Sequence, residues 1–289
     1  MYCVQSLIRN NQNLYWLDIP SKNNDDPLII FSHGFPDNSF GWKNQIDFIQ
    51  ENFKDQFYMI AAFMHGSLNK EKAKPKRIHT NELLKDINAI LEIIDPEKIR
   101  QIYLIGHDLG AFFSIAIHDQ MPNRIKGIIH LNGMGLQQYY HRKFSIRQWL
   151  KSYYVLLVQF SLFRFIVKNI FPKQFLKIIY KLSQVNKQDP LLNIDQGLFT
   201  NIIQYKMLFK RVIHYMGMKI NKITAPTLFI WGHQDVFLNH PTLNEVKKFY
   251  TNAEIRIIEG GHWVHSSSTK HVNELIHKTL SKWIKNEII

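Results

Sequence analysis

One short connection constrains this chain more than any other feature: Gly106-His107-Asp108-Leu109-Gly110 lies between the apolar run Ile102-Tyr-Leu-Ile-Gly106 and the helical-looking start Gly110-Ala-Phe-Phe-Ser-Ile-Ala. A buried strand that turns into a helix this abruptly leaves no room for side chains on its flanks, so small residues stand there and the central side chain is pushed out above the sheet. Here the central side chain is a carboxylate. A carboxylate attacks carbon directly and forms an ester, so it needs no base for its own activation. The start of the following helix favours its ionised form. The competing reading is that Asp108 only caps that helix, a role aspartate fills well.

The rest of the sequence weighs against mere capping. Short apolar runs recur on both sides of the elbow: LIIFSHG, MIAAF, IYLIGHD and GIIHLNG before residue 135, then TLFIWGHQD and IRIIEGGH after residue 221. Alternating with helical patterns such as 79–95 and 110–121, they predict an α/β fold with a mostly parallel, doubly wound sheet covered on both faces. In such sheets ligands bind beyond the carboxyl ends of the strands. Enzymes built on this elbow take nucleophile, acid and histidine in that chain order. Asp235 follows the run 227–230 and His262 follows the run 255–258. Either alone would pass for a turn residue or a loop histidine. Three matches in order, each after a strand, point to a catalytic set.

A fourth element, His33-Gly34-Phe35-Pro36, directly follows the run 28–31. Hydrolysis of an ester places negative charge on oxygen, and preorganised backbone N–H groups stabilise it without rearrangement. The amides of Phe35 and Leu109 are the candidate oxyanion hole, with His33 and Pro36 ordering the loop.

Charge divides the chain. Between Gln137 and Asn221 there are fourteen Lys and Arg against Asp189 and Asp195, a net +12 of the overall +13. The remainder holds 22 bases and 21 acids. This break, with the helical look of 144–220, predicts a core of residues 1–134 and 222–289 and an inserted helical lid over 135–221. The lid mixes apolar stretches with Lys and Arg, a pattern that can rest on an anionic membrane. The more economical reading is that the apolar faces line a substrate pocket. Nucleic acid has no motif behind it beyond charge. A single cysteine, Cys3, excludes an internal disulfide. No apolar run approaches the length of about 18 residues that would span a bilayer, and the N-terminus does not read as a signal peptide. A cytoplasmic location is expected.

The segments HGFPDNSFGWKNQ (33–45), GHDLGA (106–111), APTLFIWGHQD (225–235) and GGHW (260–263) are similar to the epoxide hydrolase branch of the α/β-hydrolase superfamily, in which haloalkane dehalogenases are relatives. The resemblance covers nearly the whole chain and is weakest at the N-terminus and in the lid. It implies Asp108 as nucleophile, Asp235 and His262 as the water-activating pair, an apolar epoxide as substrate, and no cofactor. It also implies two lid tyrosines that donate to the leaving alkoxide. The spacing of Tyr153-Tyr154 to Gln159 favours Tyr154 over Tyr153 as the first, and Tyr215 occupies the place of the second.

Two departures stand out. The Asp-x-Arg-Gly-like turn usual after the fourth strand reads Ala62-Phe63-Met64-His65-Gly66-Ser67, and the Trp common after the nucleophile is Leu109. The second bears on the alternative, haloalkane dehalogenation, which holds its halide with that Trp and a second donor. Leu109 and Phe35 offer no side-chain N–H. A non-catalytic binding protein on the same fold is a further alternative, weakened by the intact set of catalytic residue types. His262-Trp-Val-His265 lacks a convincing metal-ligand pattern, and no metal site is read.

Overall fold

The computed structural model describes residues 3–10, 12–63, 80–135, 146–151, 157–189, 192 and 222–287. Eight strands form one sheet: β1 (Cys3–Arg9), β2 (Gln12–Ile19), β3 (Leu28–Ser32), β4 (Tyr58–Ala62), β5 (Ile102–His107), β6 (Ile125–Leu131), β7 (Thr227–Gly232) and β8 (Ala253–Ile258). Their order is β1-β2-β4-β3-β5-β6-β7-β8. The pairs β1/β2 and β2/β4 are antiparallel and all others are parallel.

The central strands read as unbroken apolar runs because both of their faces are buried. Side-chain alternation sends Ile29, Phe31, Tyr103, Ile105, Ile129 and Leu131 to one core. There they meet helices α1 (Lys43–Phe53) and α9 (Thr269–Glu287) through Ile46, Ile49, Val272 and Ile276. Leu28, Ile30, Leu104, Ile128 and Phe229 point to the other face. They pack against α2 (Thr80–Ile94) and α3 (Leu109–Gln120) through Ile87, Ile90, Ile115 and Ile117. The α/β sheet with helices on both faces is the one the sequence pattern implied. The antiparallel hairpin β1–β2 was not part of that reading.

Between β6 and β7 the elements named among the described residues are helices: α4 (Ile146–Lys151), α5 (Ser161–Asn169) and α6 (Pro172–Leu182). The inner faces of α5 and α6 pack Phe163, Val167, Phe175 and Leu176 against Phe35. Short helices α7 (Leu243–Val246) and α8 (Val264–Ser267) and a 3₁₀ turn over Ser39–Trp42 complete the described elements.

The β5–α3 turn shows why glycine flanks Asp108. A Cβ on Gly110 would lie 1.8 Å from the carbonyl oxygen of Ser32, and one on Gly106 would lie 2.5 Å from that of Gly110. Both obstacles are backbone, which cannot rotate away. Gly110→Ala is therefore expected to cost about 3 kcal/mol or more of folding free energy, the upper end for overpacking, read as a lowered thermal midpoint. An unchanged midpoint would contradict the close packing of β3 on this turn.

Candidate active site

Each polar residue singled out in the core stands at the carboxyl end of a parallel strand. His33 follows β3, Asp108 follows β5, Asp235 follows β7 and His262 follows β8. Asp108 has φ 50° and ψ −115°, and its side chain makes no capping bond to α3. A non-glycine residue in this conformation stores on the order of 1–3 kcal/mol of strain. The turn lifts the carboxylate over the sheet edge, where Oδ2 accepts from the Phe35 amide at 3.1 Å. The Leu109 amide also lies close enough to this carboxylate to lower its pKa. The two amides read as an oxyanion hole thus converge on one carboxylate. Gly34 permits the approach, since a Cβ there would lie 2.6 Å from that of Asp108. Pro36 follows Phe35 through a cis peptide bond. His33 is buried, its Nδ1 lies 2.9 Å from the Gly34 carbonyl oxygen, and burial lowers its pKa to about 4. It is neutral at physiological pH.

The remaining pair is tightly held. His262 Nδ1 lies 2.9 Å from Asp235 Oδ2. The same oxygen accepts from Asn132 Nδ2 at 2.6 Å. Asp235 Oδ1 accepts from the amides of Phe237 at 2.8 Å and Leu238 at 2.9 Å. Burial opposes ionisation of Asp235, but His262, Asn132 and these donors outweigh it and hold its pKa below the usual carboxylate value. An ionised Asp235 makes His262 Nδ1 the donor, which leaves Nε2 to face Asp108 Oδ1 at 3.9 Å. Burial lowers the His262 pKa, yet Asp235 and then Asp108 leave it above 6.5. Burial raises the pKa of Asp108, against the pull of His262 and the two amides. The helix start expected to favour its ionised form therefore does not dominate.

Several participants carried no signal in the sequence. Asn132, directly after β6, uses its other amide atom, Oδ1, to accept from the Gly232 amide at 3.0 Å, which ties the end of β6 to the end of β7 and to the acid loop. From α4, Lys151 Nζ donates to the Asp235 carbonyl at 2.5 Å and Gln148 donates to that of Phe237 at 3.0 Å. The Tyr180 hydroxyl donates to the Pro36 carbonyl at 2.8 Å. The helices between β6 and β7 thus brace both the acid loop and the loop after β3. Tyr153, Tyr154 and Tyr215 lie outside the described residues.

Behind His262 sits a second buried group: Asp37, His107 and His265, at most 1% exposed. His107 Nε2 lies 3.0 Å from the His262 carbonyl oxygen and donates to it. Its Nδ1 then faces Asp37 Oδ2 at 3.9 Å, as does His265 Nε2. These three are the described residues whose donor atoms could share a metal ion. Ligands about 2.0–2.1 Å from a tetrahedral zinc stand roughly 3.3 Å apart, so the observed spacings are wider than a formed site. Burial raises Asp37 to a pKa of about 8, helped by Asp189 and Asp108 and opposed by the Asn38 amide and Trp263. Burial also lowers His265 to about 3 and His107 well below its ordinary value. All three are neutral at pH 7.

The family profile described as alpha/beta hydrolase fold matches residues 27–269. The chain belongs to this family. Among curated relatives it is 25% identical to Epoxide hydrolase 4 of Mus musculus, over 86% of this chain and 72% of that one. Among solved structures it is similar to the Bacillus megaterium epoxide hydrolase in complex with an inhibitor, with a TM-score of 0.77 and 20% identity over 96% of this chain and all of that one. It is equally similar to epoxide hydrolase I of potato, Solanum tuberosum, with a TM-score of 0.77 and 20% identity over 98% and 100% of the chains. The branch implied by the motifs is the one these comparisons return. Among the described residues no helix is long and apolar enough to cross a membrane.

The buried Asp37 gives a pH test. With a folded pKa of about 8 against an unfolded value near 3.9, the folded state binds the extra proton throughout that interval. Its contribution to stability is complete at low pH and fades as pH rises toward 8. Asp37→Asn, which cannot ionise, is expected to gain thermal stability relative to the parent as pH rises from about 4 to 8. A difference that stays constant over that range would show that Asp37 does not titrate as described.

Proposed function

We propose that this enzyme opens epoxides to vicinal diols through an ester on Asp108. The observation that carries the reading is the division of labour between the two carboxylate oxygens. Oδ2 accepts from the Phe35 amide at 3.1 Å, whereas Oδ1 faces His262 Nε2 across 3.9 Å. In the first step Oδ1 attacks a ring carbon, the C–O bond breaks, and the ring oxygen takes a proton. On the family resemblance, Tyr154 and Tyr215 of the lid supply that proton. In the second step His262 Nε2 removes a proton from water and the hydroxide attacks the ester carbonyl. The oxyanion forms on Oδ2, where the Phe35 amide already points, with the Leu109 amide as the second donor. Asp235 stabilises the imidazolium and holds the ring in the productive tautomer. Collapse releases the diol and regenerates the carboxylate, and His262 returns its proton to the tyrosinate.

The relatives named epoxide hydrolases support the substrate class. Leu109 and Phe35 support it against halide release, because neither side chain offers an N–H to a departing halide. The division into an α/β-hydrolase core and a lid over residues 135–221 belongs to the same proposal. In it, the bonds from Gln148, Lys151 and Tyr180 seat the lid on the catalytic loops.

His262→Gln is expected to form the ester but not hydrolyse it, so a peptide containing Asp108 gains the mass of one epoxide, while Asp108→Ala gains none. Halide release without diol formation would overturn the substrate class. Because the His262 pKa lies above 6.5, diol formation in the parent should fall about tenfold per pH unit below that pKa. Asp235→Asn should slow ester hydrolysis by roughly 10³–10⁴-fold, measured in a single turnover.

A further inference from the structure

Two helices of the insertion carry more apolar surface than the fold buries. On α5, Phe163 and Val167 turn inward to Phe35, while Leu162 and Phe165 are 68% and 58% exposed. On α6, Tyr180 packs on Trp263, while Ile178 and Leu182 are each more than half exposed. The turn joining the helices exposes Ile170 and Phe171 as well. The apolar side of each helix is wider than the part the fold buries, and an exposed apolar cluster marks an interaction surface. Charge indicates the partner. From Gln148 to Gln188 the sequence holds seven Lys and Arg and no Asp or Glu. Lys177 and Lys181 are exposed and lie next to Ile178 and Leu182 along α6.

We propose that the outer face of α5 and α6 docks on an anionic lipid bilayer. Phe165, Leu162, Ile178 and Leu182 would enter the boundary between headgroups and acyl chains, and the flanking lysines would pair with lipid phosphates and carboxylates. A basic rim around apolar side chains matches such a surface. A second copy of this chain does not supply the complement, because outside the basic insertion its charges nearly cancel, 22 bases against 21 acids. Docking is peripheral, since no described helix can span a bilayer. The inner face of α5 touches Phe35, so a docked insertion places the bilayer one helix away from Asp108. If the proposed function holds, apolar epoxides can reach the site from the membrane.

The test reads binding and no turnover, so it stands or falls apart from the proposed function. The purified chain is sedimented with phosphatidylcholine vesicles, with and without about 30 mol% phosphatidylserine. Sedimentation with the anionic vesicles, at least tenfold stronger than with the neutral ones and weakened by high salt, is expected. F165S/I178S and K177E/K181E should each reduce binding more than tenfold without changing the circular dichroism melt, since all four positions are exposed. The proposal is overturned if the chain stays in the supernatant, binds both vesicles alike, or is unaffected by either pair of substitutions. It is also overturned if light scattering shows a dimer that F165S/I178S dissociates.

Discussion

At Asp108 the chain must leave the end of β5 and enter α3 within a single residue, at φ 50° and ψ −115°, and the candidate site is arranged around that bend. The bend requires Gly106 and Gly110, because backbone atoms occupy the space where their Cβ atoms would be. It exposes the Leu109 amide on the same side as the carboxylate. It also brings the carboxylate under the β3 loop, where Gly34 allows Phe35 to add a second amide. The strain is held by sheet packing on both faces, since β5 is buried along its whole length.

Electrostatics around this point separate the buried groups into two sets. Asp235 meets four donors and is kept ionised, and it raises His262 against the effect of burial. A few ångströms behind, the Asn38 amide and the Trp263 indole donate to Asp37 without offsetting its burial, and burial leaves Asp37, His107 and His265 neutral. A charged cluster behind His262 would compete with Asp235 for control of its proton. Neutral side chains there leave Asp235 as the dominant partner, while the bond from His107 to the His262 carbonyl fixes the loop.

Much of this was legible in the sequence, for a physical reason. Parallel strands buried on both faces must be apolar throughout, so β3, β5, β6 and β7 stood out as runs, and the polar residues ending them marked the site. Asp108, Asp235, His262 and the Phe35 loop were found this way, and the structure brings them together. Asn132 was not found, because one asparagine after an apolar run has no spacing rule to distinguish it from a turn residue. Asp37 and His265 were missed for a different reason. Their importance comes from burial beside His107, which depends on how the loops after β3 and β8 fold together. The bonds from Gln148, Lys151 and Tyr180 are long-range and follow no period. Leu109 and Phe35 show the converse, since what they lack, a side-chain N–H, could be read at once.

The central claim is that Asp108 itself supplies an oxygen to the product, and isotope labelling tests it directly. One turnover is run with enzyme in excess over an epoxide in H₂¹⁸O. The ester route predicts an unlabelled diol and ¹⁸O in the Asp108 carboxylate, because water attacks the ester carbonyl and not the epoxide. A diol that carries ¹⁸O from the first turnover, with Asp108 unlabelled, would show direct attack by water and contradict the account.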